Sequence, residues 1–201
     1  METRHVFLEG AQIRAMLSIR PVLHVLEVGF GTGLRFLLTA AESLAAGTPL
    51  MYTGLEKDLP AAEHLVSLGF NSIDGANDAA VAWVRWRQEL PQVVPHGHYE
   101  RALLPGCMLT LVVGDATQTV LPCHQYDAVY LDGFSPRTNP ELWTASFLQK
   151  LYDATAPAGI LATYSAAGHV RRALTDAGYQ VERRAGPPGK REVLAAKKPS
   201  V

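Results

Sequence analysis

Three acids and a glycine turn stand where a bound molecule could be gripped. The stretch VLEVGFGTGLRF, residues 25–36, carries Glu27 at the end of an apolar run, then glycines at 29, 31 and 33. Glycine leaves no Cβ between backbone and ligand. A dinucleotide site usually spaces its glycines G-x-G-x-x-G, to seat a pyrophosphate on a helix N-terminus. Here the third glycine comes one residue early and an acid precedes the first. That suits a ligand with a cationic amino-acid end and no phosphate. S-adenosyl-L-methionine has such an end. Its carboxylate can use backbone N–H groups of the turn formed by Gly29, Phe30, Gly31 and Gly33. Its ammonium can use Glu27, directly or through water. Taken alone, the motif would also fit a tight structural turn. Glu56 closes the next apolar run, 23 residues after Gly33, near the offset at which an acid reaches ribose hydroxyls. Asp115 and Ala116, in VVGDAT, follow a third run, where an adenine amino group can be met. Acids and glycines at successive strand ends point to a methyltransferase.

The reacting centre is expected in YLDGFSPRTNPELW, residues 130–143. Asp132 falls at the end of a fourth apolar run, with Phe134 and Pro136 behind it. A carboxylate there can accept a hydrogen bond from an amine and aim its lone pair, while the aromatic ring packs on a planar substrate. Methyl transfer from a sulfonium is a one-step displacement, so catalysis is mostly alignment and charge control. Asp132 is therefore assigned an orienting role first and proton acceptance second. The seven histidines make no metal pattern, and no metal is expected.

These residues need strand ends to stand on. Apolar, β-branched runs predict strands over 22–28, 50–55, 109–113, 126–131 and 159–164. Helical spacing predicts helices over 34–44, 59–68, 78–90 and 167–177. Asn139 and Pro140 open a further helix to about residue 154, as N-cap and first-turn proline. Two last strands, 179–184 and 192–196, read as a hairpin. Strand–helix alternation gives an α/β fold: an open, mostly parallel sheet with helices on both faces and an antiparallel edge hairpin. Residues from about 70 to 108 interrupt the rhythm as an inserted helical segment, so residues 1–201 are expected to form one domain.

Composition limits the alternatives. The chain has 201 residues, 48% hydrophobic and 18% charged, which suits a globular protein with a sizeable core. No membrane span and no secretory leader are evident. Two cysteines, 107 and 123, make no disulfide framework, which fits a reducing cytoplasm. Net charge is −1, but it is unevenly spread. Residues 1–164 hold 10 Lys/Arg against 16 Asp/Glu; residues 165–201 hold 8 against 3. A basic C-terminal fifth could meet a polyanion or be a solvated face.

With these residues in place, the chain resembles the methyltransferase part of the MnmC family of bifunctional tRNA-modifying enzymes. The matching stretches are ETRHVFLEG, GFGTGLRF, EK at 56–57, LPGC, GDA, LDGFSPRTNPELW, LATYSAAGHVRRAL and KRE at 190–192. The resemblance implies a Rossmann-like class I methyltransferase. It implies methyl transfer from S-adenosyl-L-methionine to the primary amine of 5-aminomethyluridine, or its 2-thio form, at wobble position 34 of tRNA. The glycines, Glu56 and Asp115 would hold the cofactor and Asp132 would serve the amine. Arg171, Arg172, Lys190 and Arg191 would contact tRNA phosphates. This chain departs from the family pattern at Arg35, where the family usually has Asn, and at Arg137 and His169. The family's flavin-dependent oxidase half is not in the sequence. The acceptor amine is therefore expected from another route or from a partner enzyme upstream.

Overall fold

The computed structural model describes residues 3–70, 73–189 and 191–200. Eight strands form one sheet in the order β3-β4-β2-β1-β5-β6-β8-β7. Five central strands run parallel: β4 (Cys107–Val113), β2 (Leu50–Glu56), β1 (Leu23–Val28), β5 (Tyr126–Leu131) and β6 (Thr155–Thr163). Their near-continuous apolar character follows from burial on both faces.

Alternation along each strand divides the core in two. Val25, Tyr52, Leu111 and Tyr130 face Phe36, Leu37 and Trp83 on one side. These belong to α2 (Leu34–Ala46) and α4 (Asn77–Glu89). Leu26, Val28, Val129 and Leu161 face Phe147, Leu151 and Leu174 on the other. These lie on α5 (Ala145–Ala154) and α6 (Gly168–Asp176). At one edge β8 (Glu192–Lys197) inserts antiparallel between β6 and β7 (Gln180–Ala185), as the expected hairpin.

Four features differ from the sequence reading. The interrupting segment carries, besides α4, a strand β3 (Gly97–Leu104), antiparallel to β4. Its sequence, GHYERALL, shows little hydrophobic alternation because it is an edge strand whose residues are mostly exposed or half-buried. Charge on an edge also discourages pairing with another chain. Second, the helix expected from Asn139 is broken. Pro140–Trp143 makes a 3-10 turn, Thr144 is extended, and only then does α5 begin. Thr144, not Asn139, is its cap: the hydroxyl accepts the Phe147 N–H at 3.3 Å, while Asn139 donates to Glu141. Third, α3 is shorter than expected, Ala62–Ser67. Fourth, the first twenty residues hold structure that the spacing did not indicate. A π-helical stretch, Arg4–Glu9, and α1 (Ile13–Leu17) bury Phe7 and Ile13 against the α2 side of the sheet.

One expected cofactor contact belongs to this core. Phe30 has no exposed surface and packs edge-on to Trp83, with ring centroids 5.3 Å apart. It fills the space above Gly54 of β2, where an added Cβ would run into the Phe30 ring. Gly54→Ala should therefore destabilise the protein by about 1–3 kcal/mol through overpacking. A lowered urea midpoint with unchanged slope would bear this out; an unchanged midpoint would mean that Phe30 is not fixed there.

Candidate active site

The C-terminal ends of β1, β2, β4 and β5 converge on one cavity of about 510 Å³. In an open parallel sheet this end is where ligands bind. The strand-end loops are knitted together by backbone. Gly29 and Phe30 donate to Leu55 O at 3.0 Å, Gly114 to Glu56 O at 2.8 Å, and Asp132 to Val28 O at 2.9 Å. Cavity walls come from Gly29, Gly31, Glu56, Asp115, Ala116, Asp132 and Phe134, all expected there, and from Arg35. Phe134 is 74% exposed, a large apolar ring held in water beside the cavity.

Two glycines shape the wall. Gly29 has φ +86°, and a Cβ on it would stand 2.7 Å from Asp132 O, so the two loops touch only because it is glycine. Gly31 has φ +55° and open space where a Cβ would lie. Its N–H donates to Glu56 Oε2 at 2.7 Å, and Glu56 Oε1 accepts from Lys57 and Asp58 N–H. Asp115 Oδ1 accepts from the Thr117 N–H and hydroxyl, both at 2.8 Å; these bonds hold its carboxyl below the usual range.

The Asp132 loop is held from behind by two aromatic donors. Tyr164, past the end of β6, donates to Gly133 O at 2.9 Å, and the Trp143 indole donates to Phe134 O at 2.9 Å. Their rings meet edge-to-face. Asp132 itself pairs with Arg35 of α2, Nη2 to Oδ2 at 2.6 Å.

Arg35 changes the expected role of Glu27. Glu27 has no exposed surface and does not line the cavity. Its Oε1 accepts from Arg35 Nε, and its Oε2 accepts from the Tyr52 hydroxyl at 2.6 Å. Arg35 Nη2 also donates to Gly29 O, and the guanidinium lies over the Phe7 ring, 5.1 Å from its centroid. The resident guanidinium thus takes the carboxylate that the sequence reading offered to a cofactor ammonium. Complete burial pushes Glu27 up to about 7, against the pull of Arg35 and Tyr52. Burial opposes the Arg35 charge, but Glu27 and Asp132 more than offset it and raise its pKa.

Other expected residues lie off the cavity. Phe30 is core. Gly33 opens α2 and sits under the Trp83 indole, which donates to Thr32 O. Pro136 is half-buried behind the wall. Arg171 is half-buried and Arg172 exposed, both on α6. Arg191 is exposed in the turn between β7 and β8. Because β8 runs antiparallel to β6, with Leu194 opposite Thr163, that turn lies at the cavity end of the sheet. Lys190 lies outside the described residues. Tyr52, Trp143 and Tyr164 escaped the sequence reading as site supports. Tyr52 pairs with Val25, two residues from Glu27 on the same strand face, a signal that alternation alone supplies.

The raised Glu27 value fixes the sign of a pH effect. Its folded pKa lies above the reference value of 4.5, so its contribution to stability is full below about pH 4.5 and is lost as pH rises through about 7. Glu27→Gln should flatten the fall in thermal midpoint over this window. A variant retaining the whole wild-type fall would remove Glu27 as its source.

Residues 83–199 match the family described as S-adenosyl-L-methionine-dependent methyltransferase. The chain is 36% identical over 212 residues to the tRNA 5-methylaminomethyl-2-thiouridine biosynthesis bifunctional protein MnmC of Ectopseudomonas mendocina, with 96% of the chain and 30% of that protein covered. It is 34% identical to the protein of that name from Paraburkholderia phymatum, with the same coverage. The chain thus spans about a third of the length of these relatives. Among solved structures, MnmC2 from Aquifex aeolicus superposes with a TM-score of 0.77 at 23% identity, over 100% of this chain and 62% of that one. Spermidine synthase from Thermotoga maritima gives 0.54 at 16% identity, over 100% and 60%. Both share the fold.

Proposed function

Because the chain belongs to the S-adenosyl-L-methionine-dependent methyltransferase family, we propose that it methylates the primary amine of 5-aminomethyluridine, or its 2-thio form, at wobble position 34 of tRNA. The observation that carries this reading is Asp132. It stands in the cavity wall at the end of β5, with exposed Phe134 beside it, in a loop fixed by Tyr164 and Trp143. The relatives' part in 5-methylaminomethyl-2-thiouridine biosynthesis supports the choice of acceptor.

The cavity suits the cofactor. Its volume falls within the roughly 300–1,000 Å³ of small-molecule sites. The open space at Gly31 lets a ligand approach backbone, and Glu56 and Asp115 offer acceptors from neighbouring strand ends. We assign Gly29, Gly31, Glu56, Asp115 and Ala116 to holding it. When bound, it supplies a methyl group on a positively charged sulfur, which a nitrogen lone pair takes in one displacement. Asp132 accepts a hydrogen bond from the amine and aims that lone pair, and Phe134 packs on the uracil plane. Arg171, Arg172 and Arg191, with Lys190 beside it in sequence, meet phosphates and so position the RNA without reading its bases. No described helix is long and apolar enough to cross a membrane, and a cytoplasmic setting fits this substrate. An enzyme that installs the aminomethyl group supplies it.

The direct test gives labelled S-adenosyl-L-methionine and tRNA carrying 5-aminomethyluridine at position 34 to the protein, with nucleoside analysis of the product. Labelled 5-methylaminomethyluridine is the expected result. Label appearing on free amines but never on tRNA would move the substrate elsewhere. Asp132→Ala should cut turnover about a hundredfold or more and leave cofactor affinity within a few-fold. Reversing charge at Arg171 and Arg172 should weaken tRNA binding and flatten its salt dependence; unchanged binding would return those arginines to a solvated face.

A further inference from the structure

We propose that Arg35 selects the protonation state in which the acceptor binds. By pairing with one oxygen of Asp132 in the cavity wall, it makes that carboxylate a hydrogen-bond acceptor for a neutral amine and not an ion-pair partner for an ammonium. The inference rests on the amine-methylation reading above.

An alkylamine is almost wholly protonated near neutral pH, with a reference pKa of about 10.4 for lysine. It must give up that proton to offer a lone pair. A lone carboxylate would work against this, because an opposite charge stabilises the ammonium. In this chain the carboxylate is not alone. Arg35 Nη2 lies 2.6 Å from Asp132 Oδ2 and also donates to Gly29 O, while Nε is fixed on Glu27 and the guanidinium plane rests on Phe7. The side chain is 13% exposed and anchored on four sides. A guanidinium does not lose its proton in proteins, so the cation is permanent. A second cation at Asp132 would meet it at close range.

Other groups face this centre. Tyr164 adjoins Asp132 from the end of β6, and burial raises its phenol, so it stays neutral. Glu27 faces Arg35 from β1, on the side away from the cavity, with the Tyr52 hydroxyl on its other oxygen. At the walls, Glu56, Lys57, Asp58, Asp115 and Glu141 also face the cavity. Substituting Arg35 by glutamine leaves these residues in place but removes the cation that pulls the Glu27 carboxyl down.

The test is calorimetry on the protein loaded with S-adenosylhomocysteine, in buffers of different ionisation enthalpy. It compares anticodon stem-loops carrying 5-aminomethyluridine or plain uridine at position 34. The difference between them cancels phosphate contacts and any titration of Glu27 common to both. For the wild type we expect about one extra proton released with the aminomethyl stem-loop. Its affinity relative to the plain one should rise about tenfold per pH unit between about pH 6 and 8, by linkage. Arg35→Gln should release almost no extra proton and lose the pH slope, and Arg35→Lys, which keeps the cation, should behave as wild type. A wild-type protein that binds the aminomethyl stem-loop without extra proton release refutes the inference and leaves the substrate intact, whether or not Arg35→Gln folds. So does equal release from wild type and Arg35→Gln. No preference for the aminomethyl stem-loop at any pH would refute the substrate reading itself, and this inference with it.

Discussion

A carboxylate with no exposed surface, set in the apolar face of a parallel sheet, must be given a cation. Unpaired, it would cost several kcal/mol. Glu27 receives Arg35, delivered by the first turn of the helix that follows its own strand. That pairing fixes the guanidinium beside Gly29 and against Asp132. One buried charge contact thus joins the backbone bond from Asp132 to Val28 O in tying the loop after β1 to the loop after β5, the two loops we propose hold methyl donor and acceptor.

The rest of the site is built around this bridge. Phe7, from the N-terminal stretch, covers the guanidinium and packs on Tyr130. Tyr52 satisfies the second Glu27 oxygen. On the far side, Trp143 and Tyr164 hold the Asp132 loop by its backbone carbonyls. The loop is thus fixed through its backbone, while one oxygen of the Asp132 side chain is paired with Arg35, an arrangement that suits a reaction governed by alignment. Lys150 extends the same bracing to the loop after β4, donating to Thr117 O and Thr119 O.

Much of this was legible because it is local. Strand ends carry Glu56, Asp115 and Asp132, and a strand end shows as the last residue of an apolar run. What escaped depends on pairing at a distance. Phe30 stands between two glycines and reads as a ligand contact, yet its ring drops into the gap at Gly54 on the next strand. Glu27 reads as a cofactor acid because its neighbour in space, Arg35, is only a departure from a pattern until Asp132 is placed beside it. The strand over Gly97–Leu104 is too polar to declare itself, since only one of its edges is paired. The break at Thr144 follows from the need to bury Trp143, which helix propensity does not register.

The most direct measurement is a crystal structure of the protein with S-adenosylhomocysteine. The account predicts that Arg35 still spans Glu27 and Asp132, with the cofactor lying along Gly29, Gly31, Glu56 and Asp115. An Arg35 side chain swung away, with the homocysteine ammonium seated on Glu27, would contradict it.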